Sequence, residues 1–380
     1  MYALTNCTLF TANQVLTQQS LLIEQERIVG IIPNAQLSSE YEQVNLAGDY
    51  VAAGFIDLQL NGCGGVMFND AITVETLETM HQTNLKSGTT SYLPTLITAS
   101  NADMIQAMQV VEQYRQHCPH NVLGLHLEGP YLNPKRKGIH NASYIRQPDR
   151  DMLSKIAAAG RAVTKLITLA PEQVDLDAIR LLAEQGIVVS AGHTDATYEQ
   201  SIAGFEAGVR MVTHLFNAMS PWQGRSPGMV GAAFKQEQVY AGIIADGHHV
   251  HFESIALARK LKQDKLLLVT DATPPVGTKM ASFQIGGQEV FCQNGKCVAA
   301  DGTLGGSALT MIEAVANSVH HLNLPLIEAL QMASLYPARA IGVDDQLGKI
   351  APHYIANLVI FDKQLQITGM VDRGNYWATP

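Results

Sequence analysis

The feature that most constrains this chain is a repeated alternation through its middle. Eight short apolar runs, Val51–Leu60, Thr89–Leu96, Val122–Glu128, Thr164–Leu169, Ile187–His193, Met211–Phe216, Ala241–Ala245 and Leu266–Asp271, are separated by longer stretches. Helical spacing covers several of those stretches, among them Thr73–Lys86, Asn101–His117, Leu176–Gln185 and Thr197–Ala207. Gly88, Gly186 and Gly208 each stand just ahead of a run, as a helix stop feeding a buried strand would. Continuous apolar strands are buried on both faces, and strands joined through helices run parallel. Eight such units predict an α/β fold, a (β/α)8 TIM-type barrel, with a doubly wound open sheet as its rival.

The two ends read differently. ALTNCTLFT, SLLIEQ and ERIVGIIP near the start, and IANLVIFD and LQITGMVD near the finish, are short strand patterns between polar turns. They predict one small split β domain, a β-sandwich built from residues 1–50 and 345–380, beside a catalytic barrel spanning 51–344. Charge narrows the class of partner. A net charge of −9 argues against nucleic acid or an anionic membrane surface. With no secretory signal and no apolar stretch of ~18 residues, a soluble cytoplasmic protein is expected. Five cysteines without a CxxC pair fit a reducing compartment and give little support for a disulfide framework.

In a parallel barrel the catalytic side chains gather at the C-terminal ends of the strands. Here those ends carry Asp57, Gln59 and Asn61, then His126 and Glu128, then His193, His214, Asp246 with His248 and His249, and finally Asp271. A polar group closing a buried strand is costly unless paired or used. Glu128, His193 and His214 make the most economical metal set, two imidazoles and a carboxylate with a position left for water. Asp271 closes an apolar strand with no cation nearby in sequence. Pro274 and Pro275 follow and disfavour a helix N-cap role there, so it is expected to move protons beside the metal. Asp57, Gln59 and Asn61 share one strand face that binds substrate or braces the site, and His126 is a supporting residue rather than a ligand.

Longer motifs carry a resemblance. GFIDLQLNGCGG (54–65), LGLHLEGPYLNPKRKGIHN (123–141), VVSAGHT (188–194), THLFNAM (213–219), GIIADGHHV (242–250), LVTDATPPVG (269–277) and LGGSALTM (304–311) resemble the N-acetylglucosamine-6-phosphate deacetylases of the amidohydrolase superfamily. The resemblance runs almost end to end and implies a metal-dependent barrel with a split β domain. It implies Glu128, His193 and His214 as metal ligands, Asp271 as catalytic acid and base, and His140 against the acetyl carbonyl. Ile139, Asn217, Ala218, Arg225, Asp246, His249 and Leu304, Gly305 and Gly306 fall on substrate-binding positions, with Arg225 and His249 against the phosphate. Homodimers or homotetramers are implied, with Arg225 reaching a neighbouring subunit's site. Where the wider superfamily has His-x-His on the first strand, this chain has Gln59-Leu-Asn61. That departure favours one divalent ion per subunit, zinc being the expected metal.

The implied reaction is hydrolysis of N-acetyl-D-glucosamine 6-phosphate to glucosamine 6-phosphate and acetate, with metal-activated water as nucleophile and Asp271 as general base and acid. The galactosamine epimer, another amidohydrolase reaction, and a non-catalytic scaffold are the competing readings. The last is disfavoured because Glu128, His193, His214 and Asp271 are all present.

Overall fold

The computed structural model describes residues 1–379; Pro380, the last residue of the expected terminal domain, lies outside the described residues. Eight parallel strands, Phe55–Leu60, Thr89–Ile97, Leu125–Glu128, Thr164–Leu169, Val188–Ala191, Val209–Val212, Tyr240–Ile243 and Leu266–Leu268, pair each with the next in chain order. The ring closes through main-chain bonds: Asp271 N–H donates to Gln59 O at 2.9 Å and Asn61 N–H to Ala272 O at 3.0 Å. The expected TIM-type barrel is therefore the fold, and the open sheet is excluded. Strand residues are buried almost throughout, so the helices outside cover every strand.

Caps set the helix starts. Ser100 opens the helix Asn101–Arg115 by accepting from Asp103 N–H, while the Asp103 carboxylate accepts from Ser100 N–H. The same reciprocal pair, Thr197 with Gln200, opens Tyr198–Ala207. The four expected helices lie within a few residues of their expected bounds.

Three expectations need correction. The run Val51–Leu60 is two strands. Tyr50–Ala53 pairs antiparallel with Leu358–Phe361 in the terminal sheet, and only Phe55–Leu60 enters the barrel. Gly54 is the break, because a Cβ there would meet Thr90 Oγ1 at 2.2 Å. The expected boundary after residue 50 thus falls inside a strand. Second, the sixth strand starts at Val209, before the expected Met211, and has ended before His214. Third, Cys292 and Cys297 form a disulfide. They are directly opposed on neighbouring strands, a proximity that counting cysteines could not reveal.

The terminal sheet runs Asn375–Ala378, Ile367–Asp372, Leu358–Phe361, Tyr50–Ala53, Tyr2–Phe10, Val15–Glu24, Arg27–Pro33, with Glu42–Asn45 parallel to the start of Tyr2–Phe10. It has its own core, including Leu4, Leu21, Ile23, Ile28, Leu358 and Ile360. A four-stranded antiparallel sheet between the last barrel strand and the helix Met311–Leu322 was not expected: Ser282–Ile285, Gln288–Gln293, Lys296–Ala299 and Leu304–Ser307. Its sequence signals are two two-residue turns, Gly286-Gly287 and Asn294-Gly295, all at positive φ. Phe283, Ile285 and Val290 of this sheet pack with Ile97 and Ile139 and hold it over the C-terminal mouth of the barrel. Among the described residues, no helix is long and apolar enough to cross a membrane.

Candidate active site

At the C-terminal end of the barrel a cavity of about 320 Å³ is walled by Glu128, His140, His193, His214 and Asp271. Glu128 ends its strand, whereas His193 and His214 stand two residues beyond theirs. His193, His214 and Asp271 have φ of 48°, 31° and 53°, in the left-handed region that non-glycine residues rarely occupy. Each costs on the order of 1–3 kcal/mol and persists because surrounding structure fixes it. These bends turn the side chains inward from strands that would otherwise carry them past the mouth.

His193 Nε2 and His214 Nε2 each lie 3.2 Å from Glu128 Oε1 and 3.0 Å from one another. His193 Nδ1 is 2.8 Å from Arg136 O and must donate to that carbonyl, which leaves a lone pair on Nε2. Lone pairs of a carboxylate and two imidazoles therefore converge on one point. A triangle with edges near 3.2 Å is close to one face of a tetrahedron whose centre is about 2.0–2.1 Å from its corners, the ligand distance of zinc. The donor set fits a divalent metal. His140 brings a ring nitrogen within 4.8 Å of the Glu128 and His193 ligand atoms. Its Nδ1 is engaged by Thr98 Oγ1 at 2.7 Å, so the tighter trio is the better ligand set.

Charge follows the geometry. Burial pushes the Glu128 carboxyl up, but bonds from His193 and His214 outweigh it and hold the group well below the usual carboxylate range. Burial pushes the His214 imidazole down, and the Glu128 carboxylate reverses the sign. Burial, then His193, keeps His140 well below its ordinary value, so the ring is neutral. Asp271 is pushed up to about 6 by burial and by the Glu128 carboxylate. A bound divalent cation would draw it back down.

The first strand braces this arrangement. Asn61 Nδ2 donates to Asp271 Oδ1 at 2.6 Å, and Gln59 Nε2 lies 3.1 Å from both Asp271 Oδ1 and Glu128 Oε1. Asn61 also lines the cavity, and the equally buried Gln59 ties Glu128 to Asp271. Asp57 points the other way along the network, accepting from Thr270 Oγ1–H and from Gln59 N–H, and burial pushes its carboxyl up to about 7. His126 sits between Thr95 and Thr168 inside the barrel and touches no ligand directly.

Of the expected substrate positions, Ile139, Asn217, Ala218, His249, Leu304 and Gly306 line the cavity. Gly305 instead packs on Val290 and Ile285, its neighbours in the covering sheet. Asp246 stands outside the wall and accepts from His249 Nδ1–H at 2.6 Å, which turns the other ring nitrogen free. His248 does not line the cavity; its Nε2 lies 3.3 Å from Asn294 O. Arg225 is exposed and does not line the cavity of its own chain. Lys135 and Arg136 do line it, and Arg136 is paired with Asp195 at 2.8 Å. Sequence reasoning passed over these two; their closeness to His140 in the chain was the available signal.

A closed barrel with a carboxylate, two imidazoles and a proton carrier at its strand ends defines a metal-assisted hydrolase of the TIM-barrel class. Residues 50–376 match the amidohydrolase family and residues 1–51 the NagA composite domain. The chain belongs to the amidohydrolase family. It is 43% identical to N-acetylglucosamine-6-phosphate deacetylase of Haemophilus influenzae, over 99% of each chain. A crystal structure of N-acetylglucosamine-6-phosphate deacetylase from Pasteurella multocida superposes with a TM-score of 0.98 at 44% identity, covering 100% of both chains. A mutant of the Mycobacterium smegmatis deacetylase in complex with N-acetyl-D-glucosamine-6-phosphate gives 0.92 at 30% identity, covering 100% of this chain and 99% of that one.

Proposed function

We propose that this chain is a cytoplasmic hydrolase that cleaves the acetamide of N-acetyl-D-glucosamine 6-phosphate, releasing glucosamine 6-phosphate and acetate. The observation that carries the reading is the meeting of Glu128, His193, His214, His140 and Asp271 around one cavity. The end-to-end identity with deacetylases supports it. One divalent ion per subunit, zinc by preference, would be held by Glu128, His193 and His214. When bound, it supplies Lewis acidity toward water and the amide carbonyl. The barrel, which begins at Phe55, carries this chemistry, and the two terminal segments form a separate β domain that includes Tyr50–Ala53.

Asp271 accepts a proton from the attacking water as the new carbon–oxygen bond forms. It returns that proton to the amide nitrogen as the carbon–nitrogen bond breaks. His140 Nδ1 stands 2.7 Å from Thr98 Oγ1; in the tautomer that receives a hydrogen bond from Thr98 there, the neutral ring carries its proton on Nε2 and donates it to the carbonyl oxygen, where negative charge develops. Asn61 and Gln59 hold Asp271 in place. Lys135 and His249, the latter set by Asp246, lie within reach of the sugar's phosphate. Arg225 completes that clamp from a neighbouring subunit of a homodimer or homotetramer.

Acetate release by purified, metal-loaded protein tests the reading, with N-acetylglucosamine 6-phosphate, its galactosamine epimer and the unphosphorylated sugar compared side by side. The gluco-phosphate is expected to have the highest kcat/KM. No acetate from any of the three would reduce the chain to a scaffold, and faster turnover of the epimer would reassign the substrate. Metal analysis is expected to find one tightly held equivalent per chain, and two would overturn the single-ion assignment.

A further inference from the structure

A second cavity, of about 200 Å³, opens at the other face of the barrel, where the strands begin. Its wall includes Arg115, His120, Arg161, Lys165 and Asp345. Lys165 is the second residue of the fourth barrel strand and only 6% exposed. Among the described residues its ammonium has neither a hydrogen-bond partner nor an ion pair. Lys262, the other deeply buried lysine, is the instructive contrast: its ammonium donates to Ala233 O at 2.9 Å and to Gln236 O at 2.6 Å. A buried charge normally has such partners. The charges that act most on Lys165 are instead of the same sign. Burial, then Arg115 and Arg161, lowers its ammonium to about 8. The Arg115 guanidinium is pinned by bonds to Val122 O and Pro119 O, so it cannot swing away. Asp345 is the single carboxylate in the wall and is exposed. A largely buried lysine that reaches a cavity beside two arginines, with no acidic partner of its own, is costly unless an anion completes the cluster.

We propose that this cavity is an anion site for a phosphate dianion, either inorganic phosphate or the phosphate of a small monoester, held by Lys165, Arg161 and Arg115. Two guanidiniums and an ammonium match the charge and the hydrogen-bonding capacity of that group. The site lies at the opposite end of the barrel from the metal ligands, so it is independent of the catalytic reading.

The test is equilibrium dialysis of the full-length, metal-loaded protein against labelled inorganic phosphate at neutral pH. Lys165→Met, which keeps the volume and removes the charge, is expected to lose one equivalent relative to the unaltered protein. Arg161→Gln, at an exposed position that does not threaten folding, is expected to weaken the same equivalent about tenfold. Both variants are expected to keep normal deacetylation. The readout is the equivalent lost on substitution, so it stands whether or not phosphate also occupies the catalytic cavity. Competition with glucosamine 6-phosphate separates the two sources: displacement of this equivalent assigns a phosphomonoester, and persistence assigns free phosphate. Unchanged phosphate stoichiometry and affinity in both variants would overturn the proposal.

Discussion

Asp271 is held by two neutral amides, Asn61 and Gln59, that can donate to it but cannot take its proton. That environment leaves the carboxylate free to exchange a proton with the reacting groups. Asp271→Asn is expected to bind metal and substrate while turnover falls about a hundredfold or more. Near-normal kcat with full metal content would remove Asp271 from the mechanism. Thr98 acts one step further out: its hydroxyl is 2.7 Å from His140 Nδ1 and must donate there if Nε2 is to carry the proton. Thr98→Val is expected to lower kcat about tenfold with KM little changed, and Thr98→Ser to restore it. A matching rise in KM would mean that Thr98 shapes the pocket rather than the tautomer. The meeting of Glu128, His193, His214 and Asp271 was legible in the sequence because polar residues closing apolar strands are conspicuous. The left-handed backbone at His193, His214 and Asp271 was not legible, since it depends on what the barrel forces on each chain exit. For the same reason the bonds from Gln59 to Asp271 and Glu128 were not readable, although its face on the strand was.

At the scale of elements, the junction between two helices carries a pH response. Lys262 ends the helix Phe252–Lys262 and donates to Ala233 O and Gln236 O at the C-terminus of the helix Gly228–Lys235. Burial, with Lys265 adding repulsion and Glu237 opposing it, lowers the ammonium to about 8, against about 10.4 in an unfolded chain. Between those values the unfolded state holds one more proton than the folded state, so this group's contribution to stability rises with pH. Below about 8 both states are charged and the burial penalty is felt in full. Lys262→Met is expected to remove one proton's worth of slope from the stability profile between pH 8 and 10, measured by denaturant unfolding. An unchanged slope would show that Lys262 titrates normally. The covering sheet is the element most fully missed by the sequence reading. Its turns were marked by Gly286-Gly287 and Asn294-Gly295, but four short strands inserted after the eighth barrel strand have no place in an expected βα repeat. The alternation that revealed the barrel concealed its cover.

For the whole molecule, the position of Arg225 is decisive. It is exposed and outside its own chain's cavity, yet the resemblance to the deacetylases implies a place for it against the phosphate. If a neighbouring subunit supplies it, Arg225→Ala should weaken phosphorylated substrate at least about tenfold while leaving the unphosphorylated sugar little affected. Equal losses on both substrates, or a monomer by light scattering, would remove Arg225 from the site. Symmetry of this kind cannot be read from one sequence, because residues that meet across an interface share no spacing along the chain.

The terminal sheet also sets a timetable. Tyr50–Ala53 leaves the ribosome directly ahead of the first barrel strand, but its partner Leu358–Phe361 follows roughly 300 residues later. At about 5–20 residues per second that interval is on the order of 15–60 s, during which Tyr50–Ala53 has an open edge on that side. The barrel's strands can assemble in order as they emerge, whereas the terminal sheet waits for nearly the whole chain. Completion of that sheet therefore reports that Leu358–Phe361 has been made, and a chain cut short before Leu358 would leave a hydrophobic strand edge for quality control to recognise.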